Sequence, residues 1–127
     1  MSDKVTFDPV RLPTEAETLR LEVRDFLKEE LGAGNYSPHV GDGFDQAFSR
    51  KVGAKGWIGM TWPKQYGGRE RSHLERYVMT EEFLVAGAPT KAHFTADRQS
   101  GPVLLKYASE SLKHKILPAI TRGECSF

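Results

Sequence analysis

Apolar residues recur along this chain every three or four positions, in separate blocks bounded by capping residues and glycines. The first block follows Pro9 and Pro13, which mark residues 1–13 as an extended, polar lead-in. Thr14, with Glu17 three positions on, has the spacing at which a hydroxyl and a carboxylate satisfy each other's free amides at a helix start. Leu19, Val23, Phe26, Leu27 and Leu31 then share one helical face, and Gly32 and Gly34 supply the left-handed residues on which helices end. The pattern predicts a helix over 14–31. Residues 35–43, rich in Gly, Pro, Asn and Asp, read as a loop.

Phe44, Phe48 and Val52, spaced four apart, predict a second helix over 44–55 that stops at Gly56. Residues 57–63 are apolar, too short for a helix and closed by Pro63, which reads as an extended, buried connector turned by Tyr66-Gly67-Gly68. Ser72 and Glu75 repeat the capping spacing and open a third helix over 72–86, with Leu74, Tyr77, Val78, Leu84 and Val85 on one face and Gly87 and Pro89 at its end. A fourth helix is expected over 96–107, its start blurred by Gly101-Pro102, because proline disfavours helical geometry in the residue before it. Ser109 caps a fifth over 109–117, and Pro118 to Arg122 adds one more turn. Nothing alternates with the period of a strand. The expected fold is all-α, an up-and-down bundle of four to six helices forming a single domain over 14–127.

Composition narrows the partners. Eighteen Lys and Arg against 17 Asp and Glu leave a net charge of +1, so there is no electrostatic case for nucleic acid. A single cysteine, Cys125, excludes an internal disulfide and agrees with a reducing compartment. No basic-then-apolar leader opens the sequence and no apolar run approaches the ~18 residues of a membrane helix, so a soluble cytoplasmic protein without a membrane span is expected.

Candidate chemistry is sparse. His39, His73, His93 and His114 have no second ligand at a metal-forming spacing, so no metal is expected and the four read as solvated or capping histidines. Cys125 reads as structural, Ser100 lacks a nucleophile-elbow pattern, and Gly67-Gly68 lacks a phosphate-loop pattern. One carboxylate stands out. At 100° per residue Glu81 falls in the apolar stripe with Leu74, Val78 and Val85, whereas Glu82 points to the side. Unpaired burial of a carboxylate costs several kcal/mol, so Glu81 is expected to be buried and paired with a cation, or placed at a domain interface.

Three segments carry a family resemblance. Gly56-Trp57-Ile58-Gly59-Met60-Thr61-Trp62-Pro63-Lys64-Gln65-Tyr66-Gly67-Gly68 resembles the "GW-G---P--YGG" segment of acyl-CoA dehydrogenases. Ser72 through Ala86, with Glu81-Glu82-Phe83-Leu84, is similar to the helix that follows it in that family. Pro102 to Tyr107, Lys113 to Pro118 and Arg122-Gly123-Glu124 resemble its "YGTEEQK--YLP-L--GE" stretch, with Ala108 where that pattern has glycine and Leu112 where it usually has Gln. The three occur in family order and cover residues 14–127, and the wording of residues 96–102 is similar to actinobacterial members, some of which act on steroid side-chain thioesters.

The resemblance implies the N-terminal helical domain of an FAD-dependent enzyme that dehydrogenates an acyl-CoA thioester at its α,β bond and passes electrons to an acceptor. It implies a homo- or hetero-oligomer, a tetramer in the family, and a full chain with a β-domain and a C-terminal bundle that follow this domain. The family's catalytic glutamate lies in that bundle and its flavin-contacting "TEP" strand would begin just after Phe127. No residue here is therefore assigned as catalytic, cofactor-binding or metal-binding, and the 127 residues alone are expected to be inactive and to retain no FAD. By the same resemblance Thr95, Ala96, Gln99, Ser100 and Leu104 line one wall of the acyl pocket. Two alternatives stay open: a non-catalytic helical module for binding or assembly, and a non-flavin partner subunit of a heteromeric dehydrogenase.

Overall fold

The computed structural model describes residues 4–32, 34 and 43–127. His39 and the expected loop, apart from Gly43, lie outside these residues. Among the described residues every regular element is helical: α1 (Thr14–Gly32), α2 (Gln46–Ala54), a 3-10 turn (Lys64–Tyr66), α3 (His73–Ala86), α4 (Lys91–Thr95), a π-helical turn (Ala96–Ser100), α5 (Gly101–Tyr107) and α6 (Glu110–Thr121). The path from Lys91 to Tyr107 is one rod, since both joints keep right-handed helical dihedrals.

The buried face of α1 is Ala16, Leu19, Val23, Phe26 and Leu27, as its spacing predicts, and it packs chiefly on α3. Removing each of the four larger side chains, Leu19, Val23, Phe26 and Leu27, from water contributes about 1.5–3 kcal/mol. Where α1, α2 and α3 meet, aromatic rings interlock: Phe26 stands edge-on to Trp57 at 5.1 Å and stacks on Phe83 at 6.4 Å, while Phe48 lies 6.0 Å from Phe83.

Several boundaries differ from expectation for local reasons. Thr14 is the first helical residue and not its cap; the Pro13 carbonyl accepts from the Ala16 and Glu17 amides, and the Glu17 carboxylate turns to Arg20. Asp45 caps α2 by accepting from the Phe48 amide, which sets the start at Gln46 and leaves Phe44 outside. The second capping box does form, with Ser72 and Glu75 accepting from each other's amides. The Trp57–Pro63 stretch is buried only as far as Trp62, apart from the half-buried Thr61, and it is not extended: Gly59 adopts φ +62 and the Trp62 amide donates to the Gly59 carbonyl, closing a turn. The last helix runs through Pro118 to Thr121, with Leu117 and Ile120 fully buried on either side of the proline.

The largest departure is on α3. Its buried residues are Glu75, Val78, Met79, Glu82 and Phe83, whereas Leu74, Tyr77, Leu84 and Val85 are exposed. The helix is therefore rotated from the face that apolar content alone selects, and the two carboxylates exchange places: the Glu82 side chain is 9% exposed and that of Glu81 41%. The cause is α1. Arg20 donates to Glu82 at 2.6 Å and to Glu81 at 2.8 Å, and Arg24 donates to Glu82 at 2.9 Å. Two guanidiniums on the facing helix offset the desolvation of Glu82, and hydrogen bonds from Arg24 and Arg20 hold its pKa below the usual carboxylate range. Glu81 is paired as expected, with Arg20 and the Tyr77 hydroxyl, but it is not buried.

Candidate functional site

The α4–π–α5 rod begins at Lys91, five residues before its expected start, because the rod passes through Gly101-Pro102 instead of starting near it. Proline lacks an amide and crowds the carbonyl one turn back. The π-helical turn widens the helix just before Pro102, and the Gly101 amide donates five residues back to the Ala96 carbonyl. Such turns re-aim the side chains that follow them and are frequent at functional sites. Gly101 is fitted tightly here, since a Cβ on it would lie 2.2 Å from the Trp62 ring.

The turn divides the sequence-predicted wall residues. Gln99, Ser100 and Leu104 come together around an open groove of about 340 Å³, joined by Val103 and Phe127. Thr95 is half-buried outside that groove, and Ala96 is fully buried in the core. Val103 and Phe127 were not anticipated. Val103 lies one turn from Gln99, a signal in the sequence, whereas Phe127 arrives only through the path of the chain after α6.

The opposite side of the turn holds a buried polar cluster. Asp97 accepts from the Gly59 amide at 2.8 Å through Oδ1 and from Arg98 Nε at 3.1 Å through Oδ2. Arg98 also donates to the Thr80 hydroxyl and lies 5.5 Å over the Phe94 ring. Thus Asp97 fastens the Trp57–Trp62 turn to the rod, and Arg98 fastens the rod to α3. Burial pushes the Asp97 carboxyl upward, with the neighbouring arginines opposing. His93, expected at the surface or at a cap, is instead buried, and its Nδ1 shares a 2.7 Å hydrogen bond with Ser49 Oγ. Burial, then the Arg98 charge, lowers its pKa to about 4. His73 and His114 are exposed as expected, His114 against the Tyr66 ring at 5.1 Å. Cys125 is free and half-buried at the edge of the core. Among the described residues no group of His, Cys, Asp and Glu has the arrangement of a metal site, and no helix is long and apolar enough to cross a membrane.

The groove does not fit a flavin dinucleotide. Its lining carries no cation for a pyrophosphate, and its volume sits at the small end of the roughly 300–1,000 Å³ of ligand pockets. An uncharged lining of Val103, Leu104 and Phe127 with Gln99 and Ser100 at the edge suits an aliphatic group beside a polar one.

Comparison with known proteins accounts for this architecture. The model of the acyl-CoA dehydrogenase N-terminal domain matches residues 13–124. The chain is 29% identical over 121 residues to acyl-CoA dehydrogenase FadE26 of Mycobacterium tuberculosis, an alignment covering 89% of this chain and 30% of that protein. It is 29% identical over 116 residues to acyl-CoA dehydrogenase IpdE1 of Mycolicibacterium smegmatis, covering 84% and 29%. Among solved structures it is similar to the Tcur3481-Tcur3483 steroid ACAD, with TM-score 0.78, 35% identity and coverage of 91% of this chain and 31% of that one. It also matches the ChsE4-ChsE5 complex from Mycobacterium tuberculosis, with TM-score 0.74, 27% identity and coverage of 92% and 30%. The chain thus spans about 30% of the length of the curated relatives it matches. With that family model matched from the start of α1 to just beyond α6, this chain belongs to the acyl-CoA dehydrogenase N-terminal domain family.

Proposed function

We propose that this domain serves a flavin-dependent acyl-CoA dehydrogenase as one wall of its acyl pocket, in a protein that desaturates an acyl-CoA at the α,β bond and hands electrons to a separate acceptor. The carrying observation is the groove beside the π-helical turn, where Gln99, Ser100 and Leu104 converge with Val103 and Phe127. Thr95 and Ala96 back this wall, and the small Ala96 lets the rod sit close to the core. Gln99 and Ser100 are the polar edge and Leu104 the apolar floor. A family relative described as a steroid ACAD supports a bulky acyl group as the occupant, and the small Ser100 leaves room for one.

FAD is proposed as the cofactor of such a protein, where it would supply a hydride acceptor for the β-carbon, and the residues holding it are proposed to lie in the part of the relatives that this chain does not match. Assembly with a second chain is the proposed oligomeric state, supported by two structural relatives that are two-component complexes. The wall is tested by titrating octanoyl-CoA and, separately, free CoA while following the methyl signals of Val103 and Leu104. Acyl-dependent shifts, weakened in Ser100→Phe, are expected; identical shifts with free CoA would exclude the wall. The same preparation should come off a desalting column without flavin and show no turnover with an artificial acceptor, because a base must reach within about 3 Å of the proton it removes.

A further inference from the structure

One row of side chains on α3 takes no part in the core. Leu74, Tyr77 and Leu84 are exposed, with the partly exposed Glu81 between them. Their spacing of three, four and three sets them along one face of the helix. The buried side of α3 is Glu75, Val78, Met79, Glu82 and Phe83, so the row stands clear of the packing on α1. At 1.5 Å for each residue the row runs for about 15 Å.

This row is symmetric about the level of Met79, which lies five residues from both Leu74 and Leu84 and two from both Tyr77 and Glu81. A two-fold axis at that level lays a second, antiparallel α3 against the first, with Leu74 opposite Leu84 and Tyr77 opposite Glu81. Isologous dimers need a patch that complements itself in this way, and a second copy supplies the matching order by symmetry alone. The centre is polar but satisfied. The Tyr77 hydroxyl donates to one Glu81 oxygen at 2.6 Å, and Arg20 donates to the other at 2.8 Å. Across the axis each hydroxyl can donate to the facing carboxylate in place of its own, so the exchange loses no hydrogen bond and Arg20 still balances the charge. Towards the end of the row Leu84 and Phe94, both exposed, line the same crevice between α3 and α4 and offer an apolar seat to Leu74 of the second copy.

We propose that α3 is a self-association surface on which two copies of this chain pair antiparallel about Met79, leucines on leucines and tyrosines on glutamates. This surface shares no residue with the Gln99–Ser100–Leu104 groove, so it and the acyl wall fail separately. Sedimentation equilibrium of the 127-residue chain at concentrations up to about 1 mM should show a monomer–dimer equilibrium. Tyr77→Ala and Leu84→Lys should each weaken it at least roughly tenfold with unchanged circular dichroism, as expected of anchors in a small interface. Leu21→Lys, at an exposed position of α1, should leave it unaltered. The register is read by mixing Leu74→Cys and Leu84→Cys chains, each also carrying Cys125→Ser and one of them isotope-labelled, under oxidised glutathione. The mixed disulfide should exceed both disulfides that join like positions. A chain still monomeric at about 1 mM would leave this face to another partner and overturn the proposal. Association that ignores Tyr77→Ala and Leu84→Lys, or that falls equally with Leu21→Lys, would overturn it as well, and so would an excess of disulfides between like positions.

Discussion

His93 makes folding sensitive to acid. Burial first and the Arg98 charge second lower its pKa from 6.5 to about 4. Between these values the unfolded chain binds a proton that the folded chain refuses, so the contribution is complete above pH 6.5 and is lost as pH falls towards 4. The loss amounts to about 3 kcal/mol, at 1.4 kcal/mol for each unit. Asp97 acts in the opposite sense: its raised pKa disfavours the folded state as pH climbs above the ordinary carboxylate value. Thermal melts of the wild type and His93→Gln across this window separate the two, because the variant should lose the acid-side fall that His93 causes. On the facing side of the core, Glu82→Ala leaves Arg20 without its main counter-charge inside the α1–α3 seam. That change should cost about 3 kcal/mol in chemical denaturation. Glu81→Ala should have only a small effect, as Glu81 is solvated and Arg20 keeps Glu82.

At the scale of elements, the π-helical turn is set by two neighbours that local propensity does not describe. Pro102 removes a backbone donor, and the Trp62 ring lies against Gly101 so closely that no side chain fits between them. Gly101→Ala keeps an ordinary helical φ and even improves helix propensity. It should nevertheless destabilise the chain by about 1–3 kcal/mol through the overlap with Trp62. A differential melt with unchanged or raised stability would show that the ring shifts freely. The same turn parts the expected wall residues, leaving Gln99, Ser100 and Leu104 around one groove and Ala96 in the core: widening the helix between 96 and 100 rotates the later residues away from the earlier ones.

For the whole molecule, the rotation of α3 has the widest consequence. Leu84 and Val85 are 63% and 79% exposed, and Leu74 and Tyr77 lie open on the same helix. Uncovered apolar surface of this kind favours association. Sedimentation equilibrium of the 127-residue chain should show self-association, and the Leu84→Lys, Val85→Glu double variant should be monomeric with unchanged helicity. A strictly monomeric wild type at high concentration would mean that this face is stable in water.

Helix existence, most helix ends and the family membership were all legible along the chain, because they rest on short-range rules. Leu19, Val23, Phe26 and Leu27 are spaced for one face, Ser72 and Glu75 for a capping box, and Gly56 and Gly87 adopt the left-handed conformation where their helices stop. The orientation of α3, the burial of His93, and the cluster of Asp97, Arg98 and Thr80 were not legible. Each depends on a partner at least 18 residues away: Arg20 lies 62 residues from Glu82, Ser49 lies 44 from His93, Gly59 lies 38 from Asp97 and Thr80 lies 18 from Arg98. A polar side chain enters a core only when a distant donor or acceptor meets it there, and spacing along one helix carries no record of what the facing helix brings.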